Sequence, residues 1–467
     1  AAVAYYQATG KRNLLDVAIR SADLVARDFG WGKRESYPGH QEIEIGLVKL
    51  YRVTGNRDYL DLARFFLEVR GPDGDRYNQA HLKVVEQQEA VGHAVRAAYM
   101  YSAMADVAAM TGDQAYITAL NRIWRDIVFT KLYITGGIGA TGGNEGFGQP
   151  YELPNLNAYC ETCASIANVF WNHRMFLHQG EGQYYDVLER TLYNALLSGL
   201  SLSGDRFFYP NPLESDGTHQ RQAWFGCACC PSNLSRFIPS VPGYIYATDD
   251  EGIYVNLFVD STAEMPVSGK PVRIIQKTRY PWEGRVRITL NPVESAQFKV
   301  RVRVPGWARN EAVPGGLYEF VGDQPPAWSI RVNGDSVPSE VSGGFCEIDR
   351  LWQPDDRIEL ELPMPVRWIQ ADPRVAPDRG RLAVQRGPLV YCAEWPDSPT
   401  GKVRELVIDS SSPPASRFES DLLGGIRVVV VKGRFAGKEE EIRLIPYHLW
   451  AHRGPGEMVV WMKANGD

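Results

Sequence analysis

The chain of 467 residues is long enough for two or three domains, each with its own hydrophobic core. Its formal charge of −6 at pH 7 argues against a nucleic-acid-binding surface, because neutralising phosphates requires a basic face. No run of about 18 uncharged apolar residues occurs, so we expect no membrane-spanning segment. The odd number of cysteines, seven, fits a disulfide-bonded secreted scaffold poorly and predicts a reducing compartment, the cytoplasm.

The first half of the chain carries a repeated helical pattern. Three segments end an apolar-periodic run in Thr-Gly and begin another run within a few residues, at Thr9-Gly10, Thr54-Gly55 and Thr111-Gly112. Glycine commonly follows a helix because it adopts the left-handed conformation at little cost, and short links between helices make antiparallel hairpins. One such hairpin cannot bury its apolar face alone, so the hairpins should pack side by side. The pattern predicts a helical domain over residues 1–246, either an open solenoid or a closed α/α toroid.

The second half of the chain changes to a β pattern. From about residue 250 the segments are short, β-branched and often alternating, and Gly, Pro, Asn and Asp separate them. We interpret them as a β-sandwich domain over residues 247–366 and a second one over 367–467, with the final strands either in the second domain or returning to the first. The predicted fold class is therefore multidomain α + β. Because the chain begins within a helical pattern and without methionine, we expect earlier helices and any signal peptide to lie outside this sequence.

Two short segments combine cysteines with a carboxylate. AYCETCAS places Glu161 and Cys163 before an apolar helical run, and WFGCACCPSN contains the neighbours Cys229 and Cys230. A disulfide between neighbours would close a strained ring, whereas thiolates and a carboxylate suit zinc. Residues 161 and 163 can chelate one ion from a loop or a first helical turn, which would complete a Cys₃Glu tetrahedron. The alternative is that these are buried free thiols that pack as small apolar side chains.

A glycine-rich stretch, ITGGIGATGGNEGFGQPYELPN at residues 134–155, contains the isolated Glu145. Its glycines would cost too much backbone entropy inside a helix, so the stretch predicts a shaped surface loop. A metal-bound thiol is deprotonated and is a candidate nucleophile. If the substrate is a glycoside, Glu145 could be the general acid opposite such a thiolate. The alternative is a solvated side chain without a catalytic role.

Taken together, these segments resemble glycoside hydrolase family 127, the β-L-arabinofuranosidases. The segments that carry the resemblance are, in chain order, GGIGATGGNEGF, ELPN, ETCAS, YYDVLERTLYNALLSGLSL, CACCPSN, AVQRGPLVY and IPYHLWAHRGPGEMVVW. The resemblance covers essentially the whole chain. It implies an (α/α)₆ helical barrel, here without its N-terminal helices, followed by β-sandwich domains. It also implies a retaining exo-glycosidase that releases L-arabinose from β-L-arabinofuranosides.

The resemblance further implies roles for individual residues. The zinc ligands would be Glu161, Cys163, Cys229 and Cys230, with Cys229 as the nucleophile and Glu145 as the acid/base. The residues implied to contact the sugar are His40, His93, Glu189 and Tyr209. The residues alone leave other roles open. His93 could be a core histidine, and Glu189 a charge on a helix surface. Tyr209 could simply pack against its neighbours, and His40 could bond the first turn of a helix. No role is predicted for Cys160 or Cys227.

The implied partner is an oligosaccharide or glycoconjugate that carries β-L-arabinofuranose, without nucleic acid or membrane, and the β domains could form a homodimer. Two other functions stay open at this point. One is a related zinc/cysteine exo-glycosidase with a different sugar specificity. The other is a zinc-stabilised helical scaffold that binds glycan without cleaving it, and this alternative leaves Glu145 without a role.

Overall fold

The structure, a computed structural model, describes residues 1–71, 74–322, 326–338, 340–435 and 437–465. Nine α-helices occur in these residues. They are α1 (Ala2–Thr9), α2 (Asn13–Asp28), α3 (Ile43–Thr54), α4 (Arg57–Glu68), α5 (Ala94–Thr111), α6 (Gln114–Thr130), α7 (Thr162–Gln179), α8 (Gly182–Thr191) and α9 (Cys229–Phe237). Across the described ranges, none of these helices has the length and hydropathy that a membrane span requires.

The predicted helix ends are confirmed. Gly10, Gly55 and Gly112 follow α1, α3 and α5 in the left-handed conformation, with φ between 71° and 75°, and each donates its N–H to a carbonyl of the preceding turn. Gly180 ends α7 in the same way. The next helix begins within a few residues each time, and α1 packs on α2, α3 on α4, α5 on α6, and α7 on α8. The three Thr-Gly steps and Gly180 therefore mark four helical hairpins.

Helix α5 lies at the centre of the helical part. It packs against α3, α4, α6 and α7, and most of its residues are buried. Small side chains on α5, including Ala97, Ala98 and Ala103, allow this close approach from several sides. The most extensively packed neighbour, α7, is buried over most of its length as well. These two helices form the support on which the candidate site is built.

The predicted change from helix to strand is confirmed, since nearly all strands follow residue 245. The strands in the described residues are β1 (Glu214–Asp216), β2 (Tyr246–Thr248), β3 (Gly252–Val255), β4 (Ser261–Val267), β5 (Lys270–Thr278), β6 (Arg285–Pro292), β7 (Ala296–Arg303), β8 (Tyr318–Phe320), β9 (Ser329–Val332), β10 (Asp335–Ser336), β11 (Phe345–Trp352), β12 (Asp356–Glu361), β13 (Val366–Ala371), β14 (Arg381–Arg386), β15 (Leu389–Glu394), β16 (Val407–Ile408), β17 (Ala415–Glu419), β18 (Ile426–Phe435), β19 (Lys438–Pro446), β20 (Glu457–Val459) and β21 (Met462–Ala464). The chain is thus a multidomain α + β protein.

The first β segment contains two sheets. One has the strand order β10-β9-β12-β6-β5-β4 and the other β11-β7-β3-β2. In β6 the side chains of Val286, Ile288 and Leu290 are fully buried, whereas Arg285 and Arg287 point to solvent. This alternation is typical of a strand with one face against a core, and it is the pattern by which these strands were predicted.

The second β segment forms an eleven-stranded sheet that closes on itself. Its path runs β1-β20-β15-β19-β18-β16-β21-β14-β13-β8, with β17 beside β18, and a further pairing joins β14 to β15. The closed part is therefore β15-β19-β18-β16-β21-β14. The two ends of the path, β1 and β8, come from earlier segments of the chain, so this sheet is tied to both preceding parts.

Helix α8 joins the helical part to both β parts. Arg303 on β7 donates to Asp186 at 2.7 Å and to Glu189 at 2.5 Å, and all three side chains are nearly inaccessible to solvent. Arg190 on the same helix donates to the side chain of Gln385 on β14 at 2.8 Å. These buried ion pairs and hydrogen bonds hold α8 against both β segments.

Candidate active site and metal centre

Four predicted metal ligands come together at the first turns of two helices. Glu161 and Cys163 lie at the start of α7, and Cys229 and Cys230 are the first two residues of α9. One ligand atom from each lies within 4.8 Å of all the others. Helix N-termini present unpaired N–H groups and a positive potential, which favour anions such as thiolates and carboxylates. The local fold therefore suits four negative ligands at one point.

The spacing of these ligands fits a tetrahedral ion. The Sγ atoms of Cys163 and Cys230 are 3.5 Å apart, and those of Cys229 and Cys230 are 3.9 Å apart. The Oε1 atom of Glu161 is 3.5 Å from the Cys229 sulfur and 3.6 Å from the Cys230 sulfur. A zinc ion with Zn–S bonds near 2.3 Å would separate tetrahedral ligands by about 3.8 Å. Three sulfurs and a carboxylate at these distances form a cluster that could hold such a metal ion.

The electrostatics of the cluster support a cation. Hydrogen bonds from Cys163 and Cys230 hold the pKa of the Cys229 thiol far below its ordinary value, while burial raises the pKa of the Cys230 thiol. Burial also raises the pKa of the Glu161 carboxyl well above its usual range. Its Oε2 atom is buried and has no hydrogen-bond partner among the described residues. The cluster by itself therefore stabilises one thiolate, and a divalent cation would stabilise the remaining negative charges.

Glu145 lies beside the cluster on a loop that backbone hydrogen bonds hold in place. Thr141 and Gly146 exchange two backbone hydrogen bonds of 3.1 Å, and the Glu145 carbonyl accepts from Ala94, the first residue of α5. The carboxylate accepts at Oε2 from His93 Nε2 and at Oε1 from the Tyr159 hydroxyl, both at 2.8 Å. One carboxylate oxygen of Glu145 lies within 4.8 Å of one carboxylate oxygen of Glu161. Both oxygens also lie within 4.8 Å of a ring nitrogen of His93. The proposed acid and the metal ligands therefore face the same space.

The N-terminus of α5 fixes the tautomer of His93. This residue caps the helix, and its Nδ1 accepts the backbone N–H of Arg96 at 3.4 Å. The proton must then be on Nε2, which donates to Glu145. Burial lowers the pKa of the His93 imidazole, so the neutral form is favoured. His40 is exposed in the turn that precedes α3, and its ring centroid is 6.1 Å from that of His93.

Tyr209 lies against the proposed nucleophile. Its hydroxyl is 3.0 Å from the Cys229 sulfur and can donate to it when the sulfur is a thiolate. The Tyr209 carbonyl accepts from the Thr162 N–H at 3.0 Å, and the ring of Phe225 packs edge-on at 5.4 Å. The structure therefore brings His40, His93 and Tyr209 to the space around the cluster.

Glu189, in contrast, has its partners in the first β segment, and its role as a sugar contact stays a prediction. Its side chain is 2% exposed. Oε1 accepts from the Tyr280 hydroxyl at 2.8 Å and from Arg303 at 2.5 Å, both in the first β segment. Buried carboxylates are stable when paired in this way. Glu189 is therefore an ion-pair partner between α8 and β7.

Sequence reasoning missed Tyr159, which bonds Glu145 directly. Its position two residues before Glu161 was the available signal, because so short a separation along the chain keeps it close to the metal ligands. Of the two cysteines without a predicted role, Cys160 is fully buried in the left-handed conformation, with φ 40°, and Cys227 is exposed.

Comparison with known families agrees with this site. The model of the β-L-arabinofuranosidase GH127 catalytic domain matches residues 1–243, that of the GH127 middle domain residues 252–364, and that of the family 127 C-terminal domain residues 366–463. This chain belongs to glycoside hydrolase family 127. The resemblance inferred from the sequence is thereby confirmed, and the protein is a glycoside hydrolase.

Relatives in the GH127 family match over almost the entire chain. The non-reducing end β-L-arabinofuranosidase of Bifidobacterium longum subsp. longum is 36% identical over an alignment of 524 positions. The alignment covers 99% of this chain and 77% of that protein. A solved GH127 β-arabinofuranosidase is 51% identical with a TM-score of 0.96, over 99% of this chain and 75% of that one. A GH127 β-L-arabinofuranosidase from Geobacillus stearothermophilus T6 is 39% identical with a TM-score of 0.92, over 99% and 78%.

Proposed function

We propose that this protein is a zinc-dependent, retaining exo-glycosidase that releases L-arabinose from the non-reducing end of β-L-arabinofuranosides. The observation that carries the proposal is the placement of the Glu145 carboxylate beside a cluster of three thiols and Glu161. A relative at 36% identity is named for this activity. The implied substrate is an oligosaccharide or glycoconjugate with a terminal β-L-arabinofuranose.

The metal would be held by Glu161, Cys163, Cys229 and Cys230. When bound there, zinc would keep the thiols ionised near neutral pH, since a coordinating thiol is deprotonated. The donor set of sulfur and one carboxylate is of the kind that zinc prefers. The buried Glu161 oxygen without a partner among the described residues supports a ligand at this position.

The chain's own residues supply a double-displacement mechanism. The Cys229 sulfur attacks the anomeric carbon, and Glu145 gives a proton to the departing oxygen. The sugar is then bonded to the Cys229 sulfur. Glu145, now a carboxylate, removes a proton from water, which displaces the sulfur at the same carbon. Two inversions give net retention.

The neighbours of these two groups serve positioning and binding. The N–H of His93 holds one oxygen of Glu145, and the Tyr209 hydroxyl stabilises the Cys229 thiolate between turnovers. His40, His93 and Tyr209 line the space in which the sugar hydroxyls would bind. A different sugar would leave some of these polar groups without hydrogen-bond partners, which would weaken its binding. The site would therefore favour one furanose over its analogues.

We further propose that the helical part, residues 1–246, is the catalytic domain and belongs to an (α/α)₆ toroid. The starts of α5, α7 and α9 meet at the site, and His40 brings the turn that leads into α3 close to it. Inner helices of a toroid share one direction in this way. Residues 247–366 and 367–467 would then be the two β domains that support it.

The test is a panel of 4-nitrophenyl glycosides with the wild type, Cys229→Ala and Glu145→Gln. We expect release from the β-L-arabinofuranoside by the wild type, loss of turnover in Cys229→Ala, and retention of the anomeric configuration by NMR. Preference for another sugar would favour the related exo-glycosidase. Zinc binding without hydrolysis of any substrate would favour the non-catalytic scaffold and would overturn the proposal.

A further inference from the structure

Both oxygens of the Glu145 carboxylate are occupied, and the two donors differ in chemistry. Oε2 accepts from His93 and Oε1 from Tyr159, each at 2.8 Å. His93 can only donate here, because its Nδ1 accepts the Arg96 N–H. A hydroxyl, in contrast, can donate to a carboxylate oxygen or turn and accept a proton from it. Only the Tyr159 side can therefore accommodate Glu145 in both protonation states.

Tyr159 is fixed by its backbone as well as by its ring. Its carbonyl accepts the Asn211 N–H at 2.9 Å, and the next residue, Cys160, donates to the Gly139 carbonyl at 2.8 Å. The buried amide of Asn211 also donates to the Cys160 carbonyl at 2.9 Å and to Thr162 at 3.0 Å. The segment that carries Tyr159 is therefore the same rigid segment that supplies Glu161 to the metal cluster.

The ring of Tyr159 also connects the acid to the nucleophile. It lies 6.2 Å from the ring of Tyr209, whose hydroxyl contacts the Cys229 sulfur. Tyr159 is hydrogen-bonded to Glu145, and Tyr209 to Cys229, so the two neighbouring rings connect the acid to the nucleophile. A change in the position of the first would alter the separation of the two groups that act on the glycosidic bond.

We propose that Tyr159 is a positioning residue that holds Glu145 for proton transfer and sets its distance from Cys229. The inference rests on the proposed function. In the acid form the proton lies on Oε1, because Oε2 faces the N–H of His93, and the Tyr159 hydroxyl accepts it. When substrate binds, that proton passes to the departing oxygen. The hydroxyl then turns and donates to the carboxylate that remains.

The experiment compares two β-L-arabinofuranosides that differ in their need for an acid. The 4-nitrophenyl group leaves without much protonation, whereas the methoxy group of the methyl glycoside requires it. We expect Tyr159→Phe to lower kcat/KM about 10- to 100-fold for the methyl glycoside and less than about 3-fold for the nitrophenyl glycoside, since kcat/KM reports the first displacement. Tyr151→Phe is the matched control. That tyrosine lies on the same stretch, with its ring 4.1 Å from the Arg374 guanidinium, and the variant should match the wild type on both substrates.

Glu145→Gln is measured in parallel, which separates the two proposals. If it hydrolyses the methyl glycoside like the wild type, the proposed function fails. If Glu145→Gln is selectively impaired and Tyr159→Phe is not, the positioning role alone is overturned. Metal content is measured for each variant, because Tyr159 shares its segment with Glu161. An equal loss on both substrates that accompanies a loss of zinc would show a structural role and would also overturn the inference.

Discussion

The placement of Glu189 in a buried ion pair leads to a prediction with a calculable size. Glu189 and Arg303 are 2.5 Å apart, and both are nearly inaccessible to solvent. Removing one partner from a buried pair costs about 3–5 kcal/mol of the free energy of unfolding, because the other charge stays buried. In Glu189→Gln, Arg303 keeps Asp186 at 2.7 Å, so we expect the lower end, about 3 kcal/mol.

Thermal unfolding measures this change. About 3 kcal/mol corresponds to a fall in Tm of about 6–12 °C for a domain of this size. A double-mutant cycle with Arg303→Met should show a coupling free energy of about 1–3 kcal/mol, because each substitution removes the same interaction. KM of the folded variant should stay within about 2-fold of the wild type. An unchanged Tm together with a KM raised about 10-fold or more would refute the ion-pair assignment and support Glu189 as a sugar contact.

Three further predictions follow from other parts of the structure. Burial raises the pKa of Asp378 to about 7, so its carboxyl favours folding at low pH and this contribution is lost between about pH 4 and 7; Asp378→Asn should raise Tm more at pH 8 than at pH 5, and an equal effect at both would contradict the shift. A Cβ on Gly146 would lie 2.3 Å from the Gly92 carbonyl, so Gly146→Ala should displace Glu145 and lower kcat at least about 10-fold, whereas Gly143→Ala, with open space around it, should be neutral. Removal of metal by a chelator should abolish turnover and lower Tm, and zinc should restore both; full activity in metal-free enzyme would exclude the metal.

The order of helices and strands could be predicted because its signals are local. The Thr-Gly steps mark helix ends, because the residue after the helix adopts the left-handed conformation that suits glycine. The alternation of apolar and polar residues in strands such as β6 follows from the burial of one face. The closure of the second sheet through β14 and β15 depends on pairings between distant segments, for which the sequence carries no pattern. The strands at both ends of that sheet come from earlier segments for the same reason.

The candidate site divides in the same way. Glu161, Cys163, Cys229 and Cys230 are recognisable because few other roles bring thiols and a carboxylate together so densely. The ion pair of Glu189 could not be predicted, because its partner, Arg303, is 114 residues away in the chain and belongs to a β strand. Tyr159 was missed because a tyrosine acquires its role from the carboxylate that its hydroxyl meets, and that contact joins two segments only in the folded chain.

The central claim is that the Cys229 sulfur becomes bonded to the sugar. The direct measurement is mass spectrometry of peptides from enzyme quenched in acid during turnover of 4-nitrophenyl β-L-arabinofuranoside. Glu145→Gln is used beside the wild type, because it should slow hydrolysis of the intermediate while the activated leaving group still departs. The account predicts one added pentosyl group on the peptide that contains Cys229, and none in Cys229→Ala. Turnover without any adduct on that peptide, together with full activity of Cys229→Ala, would contradict the account.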